Sequence, residues 1–251
     1  MAKLSFKRAG DRYRAKLSEA AEFQERGEKF LRVDQSAAKR DLQRAAALYE
    51  SVEKKDAVAK CFRLMKDFQR AGFLYKQCSK LELSGDCYMA ANLHSEASQV
   101  YAEGNHYEKC LEACAKGRLY KEGLDFIRKW TVPSVPANTL EKFRKNAAEY
   151  FHRKVDAHSM MEAVQASSDA DWKIAFLERR EYLDELIELA CSLGNFEKAA
   201  EVAARKGNVL RASELLENAG KRSEAARKIL EHIRLQSLWG GQNCGWPLKS
   251  F

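Results

Sequence analysis
The string Gly194-Asn195-Phe196-Glu197-Lys198-Ala199-Ala200 constrains the fold most, because its pattern returns at Gly207-Asn208 with Ala212 and again at Gly220-Lys221 with Ala225-Ala226. Each return comes after 13 residues. Glycine suits the left-handed position that closes a helix, asparagine caps the next one, and alanine lets neighbouring helices approach closely. A unit is then one short helix plus its turn, and a helix pair takes 26 residues. An element this short cannot bury its apolar stripe alone, so it must stack on its neighbours, which is the logic of a solenoid.

The first half keeps the same beat with small residues: Ala45, Val58, Ala71, Ser84, Ala97, Cys110 and Gly123 are each 13 apart. Apolar and aromatic partners accompany them at helical spacing, such as Leu48-Tyr49, Cys61-Phe62, Leu74-Tyr75, Cys87-Tyr88, Val100-Tyr101 and Phe126-Ile127, which predicts one buried stripe per helix. Gly104 and Gly117 read as turn punctuation. Gly72 and Gly85 follow the small position by one residue and read either as punctuation or as points of close helix contact.

Two prolines in Thr131-Val132-Pro133-Ser134-Val135-Pro136-Ala137-Asn138 disfavour helix before and through them. The expected organisation is a first helical array over 1–130, a break over 131–138, a second array over 139–236 and an irregular tail over 237–251. Within the second array, Leu140 to Val155 reads as a longer helix, and Ser167-Ser168-Asp169 as a turn. The tail carries Trp239, Trp246 and Phe251 without a helical period. It reads either as a coil covering the last helices or as an aromatic docking strip.

With 45% hydrophobic residues and only three prolines, the composition supports a packed, helical core with little or no sheet. The N-terminal residues Met1 to Arg8 are too charged for a secretory signal, and no apolar run approaches the ~20 residues of a membrane span. The expectation is an intracellular chain, nucleus or cytoplasm undistinguished, whose seven cysteines are reduced thiols. The net charge of +8 is uneven: residues 1–80 hold 20 Lys and Arg against 11 Asp and Glu, and the remainder is nearly balanced. Most of these charges alternate in sign along helices, as a solvated face does.

The chain resembles the helical region of plant TPR and ankyrin repeat-containing proteins, large proteins whose P-loop part is UvrD-like. The resemblance runs nearly end to end and is carried by Ala9-Gly10-Asp11, Ala57-Val58-Ala59-Lys60-Cys61-Phe62, Val100-Tyr101-Ala102-Glu103-Gly104-Asn105, Cys114-Ala115-Lys116-Gly117, Gly194-Asn195-Phe196, and above all Ser237-Leu238-Trp239 with Gly245-Trp246-Pro247-Leu248-Lys249. It implies an all-α, TPR-like region that accompanies a helicase-like NTPase. The helicase part is absent, and the 13-residue beat departs from the TPR unit of about 34 residues.

No residue is assigned a catalytic, cofactor-binding or metal-binding role. A P-loop needs a glycine-rich turn ending in Gly-Lys-Ser or Gly-Lys-Thr; Gly220-Lys221-Arg222-Ser223 comes nearest and lacks the upstream glycine. His106, Cys110 and Cys114 share a helix face, but a structural zinc usually takes four ligands, and Cys110 already serves as a packing residue. His94, His152, His158 and His232 lack a nucleophile motif, and Asp184, Glu185 and Glu188 read as a solvated face.

The expected function is therefore a non-enzymatic α-solenoid of short helical hairpins, presenting a curved surface to a protein partner such as a helicase-like domain. Two other readings stay open. One is a nucleic-acid-contacting module using Lys54, Lys55, Lys60, Arg63, Lys66 and Arg70, with weak binding expected. The other is a truncated product without independent function.

Overall fold
Thirteen residues accommodate ten helical residues and a three-residue turn, and the computed structural model repeats that unit with little variation. It describes residues 2–130 and 135–240, and the side chains of 11–130 and 135–235. After the longer α1 (Ala2–Phe30) and α2 (Gln35–Ser51) come α3 (Lys55–Leu64), α4 (Phe68–Gln77), α5 (Leu81–Ala90), α6 (His94–Glu103), α7 (Tyr107–Gly117) and α8 (Tyr120–Lys129). Beyond the prolines lie α9 (Ala137–Arg153), α10 (Ala157–Ala166), α11 (Ala170–Arg179), α12 (Leu183–Ser192), α13 (Phe196–Arg205), α14 (Val209–Asn218) and α15 (Arg222–Gly240). Among the described residues there is no strand. The protein is an all-α helical-repeat solenoid.

The turns share one hydrogen-bonding scheme. Two residues beyond the helix cap, a backbone amide donates back to the carbonyl five positions earlier: Leu93 to Tyr88 (2.9 Å), His106 to Tyr101 (2.8 Å), Asn195 to Ala190 (2.8 Å), Lys221 to Leu216 (2.8 Å). This is the Schellman closure, which satisfies otherwise orphaned carbonyls and places the residue before the donor in the left-handed region. Gly194, Gly207 and Gly220 fill that position as the sequence predicts, with φ of 72°, 85° and 79°. In the first half it is filled by Glu53, Lys66, Ser79, Asn92, Asn105 and Arg118, with φ between 56° and 62°. Gly104 and Gly117 are thus displaced from the punctuating position: Gly104 has φ −87° and Gly117 is helical.

The small residues of the beat are buried from Ala45 to Gly123, and so are Ala199, Ala212 and Ala225. The neighbouring face explains Gly72 and Gly85. A Cβ on Gly85 would lie 2.3 Å from the Tyr101 ring, and one on Gly72 would lie 3.0 Å from Tyr88. Each glycine is therefore the notch that receives the tyrosine of the next helix, and fully burying such a ring is worth roughly 1.5–3 kcal/mol. Close contact is the role the structure selects.

Alternate helices are joined by ion pairs spaced about two beats apart. Asp56 of α3 pairs with Lys80 at the start of α5 (3.1 Å), Lys76 of α4 with Glu103 of α6 (2.9 Å), and Glu82 of α5 with Lys109 of α7 (3.0 Å). The later helices repeat this through Glu178 with Arg205 (2.8 Å) and Glu197 with Lys221 (2.9 Å). Such exposed pairs contribute only about 0–1 kcal/mol each. They mark register more than they hold the fold.

The chain divides into two compact units, Met1–Ala166 and Ser167–Phe251. That division differs from the one expected at 131–138. The prolines end a helix without ending the core, because α9 packs back: the Phe143 ring lies 5.4 Å from that of Tyr120 and would stand 2.3 Å from a Cβ on Gly123. The regular turn instead fails at Ser168. Left-handed residues occur at Val155 and Glu181, but Ser168 between them is not one, and Asp169 caps α11 by accepting from the Trp172 amide (2.9 Å).

The tail expected over 237–251 also begins later. α15 runs through Ser237, Leu238 and Trp239 to Gly240, since no glycine or proline interrupts the helix before that point. Residues 241–251, with Trp246, lie outside the described residues.

Candidate functional site
A groove of about 770 Å³ opens on the first unit where α2 to α6 succeed one another. Its floor comes from the repeat itself: Val58 and Tyr88 are buried, while Phe62, Leu74 and Leu93 are half-buried. Phe73 is different. It follows Gly72 on the outward side of α4, and 57% of its surface is exposed at the groove.

The rim is polar. Asp67 caps α4 by accepting from the Arg70 amide (3.3 Å), and its carboxylate also meets the Arg70 guanidinium at 3.5 Å. That guanidinium lies 5.7 Å from the centre of the Phe62 ring. Glu50 from α2 and Glu96 from α6 complete the rim. An apolar floor with an exposed aromatic and a charged rim suits the side chains of a polypeptide, and its volume falls within the range of ligand-binding clefts.

Three of the six basic residues singled out in the sequence are engaged by named partners. Lys60 pairs with Glu28 at 3.0 Å, Lys55 donates to the Gln77 amide oxygen at 3.1 Å, and Arg70 is held by Asp67. Burial pushes the Glu28 carboxyl up, but hydrogen bonds from Gln24 and Lys60 outweigh it and leave the group below its ordinary value. Lys66 occupies a left-handed turn position. These cations belong to α3, to the turn that follows it and to the start of α4.

Cys110 and Cys114 are both fully buried on α7, and His106 sits at the start of that helix with its ring edge-on to Tyr101 at 6.4 Å. Among the described residues no group of three His, Cys, Asp or Glu is placed to hold a metal ion. Cys61 is buried and its thiol is pushed up to about 11, which keeps it protonated and unreactive at neutral pH. Asp184 and Glu188 are exposed, and Asp184 pairs with Lys206. Trp239 lies in α15 with its side chain outside the described residues, as Trp246 is altogether.

The groove itself was not read from the sequence. Phe73 was its signal: an aromatic one position beyond the small-residue pair Ala71-Gly72, where the beat calls for an outward side chain.

No family model matches the chain, and no curated protein matches it. The crystal structure of BtubC (BKLC) from P. vanneervenii is similar over 95% of this chain and 96% of that one, at 12% identity and a TM-score of 0.23. A likeness at that level carries no argument about function. Among the described residues no helix is long and apolar enough to cross a membrane.

Proposed function
We propose that this helical-repeat protein is a non-catalytic scaffold that captures a protein partner in the groove around Phe73. The observation that supports this reading is an aromatic side chain left 57% exposed over an apolar floor, on helices whose Tyr49, Tyr75, Tyr88 and Tyr101 are buried. Aromatic side chains at the centre of a groove are the usual energetic anchors of protein association. The resemblance to plant TPR and ankyrin repeat-containing proteins suggests the partner: a helicase-like NTPase domain of the kind those proteins carry. The nucleic-acid reading is weaker, because Lys55, Lys60 and Arg70 already have partners.

The test uses a purified helicase-like domain from such a plant protein, and single-stranded and duplex DNA, titrated against the full chain over a salt series. Protein capture that depends little on salt and is lost in Phe73→Asp supports the scaffold. Tight DNA binding that weakens steeply with salt, and is lost when Lys54, Lys55 and Arg63 become glutamate, replaces it with the nucleic-acid reading.

A further inference from the structure
The residues beyond position 80 carry almost no net charge, yet the fold gathers positive charge among them. The C-terminal ends of α7 and α9 lie beside a small cavity of about 270 Å³, lined by Lys116, Arg118, Tyr120, Tyr150, Arg153 and Lys154 with the small residue Ala115. No carboxylate lines it. Two of these cations come from α7 and its cap, two from the end of α9 and its cap, 35 or more residues later in the chain. Both tyrosines are half-buried, with ring centres 5.0 Å apart, so they form a firm wall rather than an open stacking surface.

Cations at helix C-termini are common because they complement the helix dipole. Here that requirement is exceeded. Of the four, Lys116 is paired with Glu112 (2.7 Å), and Arg153 uses its Nε to donate to the Glu149 carbonyl of its own helix (3.2 Å), a bond that does not use its terminal nitrogens. After the Glu112 charge and roughly half a unit at each helix end are set against the four cations, about two positive charges remain. A phosphomonoester carries about −1.5 to −2 at neutral pH.

We infer that this cavity binds the phosphate of a phosphorylated side chain on a protein partner. The chemistry is that of charge-assisted donors converging on a dianion, with the two arginines able to offer paired N–H groups and the tyrosine hydroxyls adding neutral donors. Size selects the class of ligand. Clefts for whole small molecules run from about 300 Å³ upward, so a cavity of about 270 Å³ takes the tip of a larger molecule. A nucleic-acid backbone needs a track of cations spaced along a strand, whereas these four are clustered at one point. The site is separate from the Phe73 groove and stands whether or not the groove binds a protein.

The experiment uses the full chain and a short glycine-rich peptide bearing one phosphoserine, its unphosphorylated twin, inorganic phosphate, AMP and a single-stranded oligonucleotide. Fluorescence anisotropy should detect binding of the phosphopeptide and not of its unphosphorylated twin, with inorganic phosphate competing. The double variant Arg153→Ala with Lys154→Ala, both exposed and so harmless to folding as checked by circular dichroism, should weaken it by about tenfold or more. Arg118→Gly should weaken it independently, since glycine keeps the left-handed turn. The inference is overturned if neither phosphopeptide nor phosphate binds at millimolar concentration, if the unphosphorylated peptide binds equally, or if binding survives both variants. It is also overturned if AMP or the oligonucleotide binds more tightly than the phosphopeptide.

Discussion

The two units build the same 13-residue helix and turn from different residues. In the second, one turn closes on Glu181 but the next three close on Gly194, Gly207 and Gly220, two of the following helices are capped by asparagine side chains, and Ala199, Ala212 and Ala225 fill the contacts. In the first, the turns close on residues as ill-suited as Glu53 and Lys66, only Asp67 caps a helix from α3 to α8 with its side chain, and tyrosines sit in glycine notches. The Schellman hydrogen bond is common to both. The lesson is that backbone closure and a buried small residue define the repeat, while caps and glycines are local conveniences. Ring burial in the first unit offsets the strain that glycine relieves in the second.

The largest effect is expected where that contrast is absent, at the small position both units share. Ala212 is completely buried, and Ala212→Phe should destabilise the protein by about 3 kcal/mol, the upper end of overpacking. Urea unfolding measures it. An unchanged midpoint would mean that the alanine beat is not the packing register.

Next comes the notch peculiar to the first unit. Gly85→Ala places a methyl 2.3 Å from a ring whose hydroxyl is tied to Asp86 at 2.7 Å, so the ring cannot easily give way. A net loss of about 1–2 kcal/mol should remain after the helix propensity gained by alanine. Gly72→Ala, with its nearest ring atom at 3.0 Å, should be close to neutral. Equal effects at the two glycines would show that the notch does not govern the cost.

These contrasts mark what the sequence disclosed. The small-residue beat, the left-handed glycines and the 26-residue pairing were legible because each is a constraint that few residue types meet. The left-handed residues of the first unit were not legible, since Glu53, Lys66 and Arg118 carry no turn signal and the backbone closure of the helix end sets their conformation. Pro133 and Pro136 marked a helix end correctly but not the limit of the core, because sequence cannot show that Phe143 returns to Tyr120. The groove and the basic cavity depend on side chains brought together from several helices, which no linear pattern records.

A pH effect should separate the units further. Burial alone would raise the Asp86 carboxyl, but hydrogen bonds from Tyr101 and Lys109 outweigh it and hold the group below its ordinary value. A depressed folded-state pKa gives stability that is fully present above the unfolded value, near 4, and is lost as pH falls through the folded one. Asp86→Ala should therefore cost roughly 1 kcal/mol at neutral pH, by leaving the buried Tyr101 hydroxyl without its acceptor and Lys109 without one partner. The difference from the unaltered protein should shrink below about pH 4. A gap that widens in acid would contradict the hydrogen-bonded role of Asp86.

The smallest effect tests the turns directly, with opposite signs expected in the two units. Val155 has φ 59° and is 88% exposed, so it pays the left-handed penalty of a β-branched residue and gains almost no contact in return. Val155→Gly should relieve about 1–2 kcal/mol of strain and lose up to about 1 kcal/mol through the freer unfolded chain, for a net stabilisation below about 1 kcal/mol. Gly207 has φ 85° and nothing within 4 Å of where its Cβ would stand. Gly207→Ala therefore meets no steric neighbour, and any loss, about 1 kcal/mol, comes from the backbone alone. Thermal unfolding of both variants should move Tm upward for the first and downward for the second. Two shifts of the same sign would mean that surrounding contacts, not the left-handed geometry common to every turn, decide which residue each turn accepts.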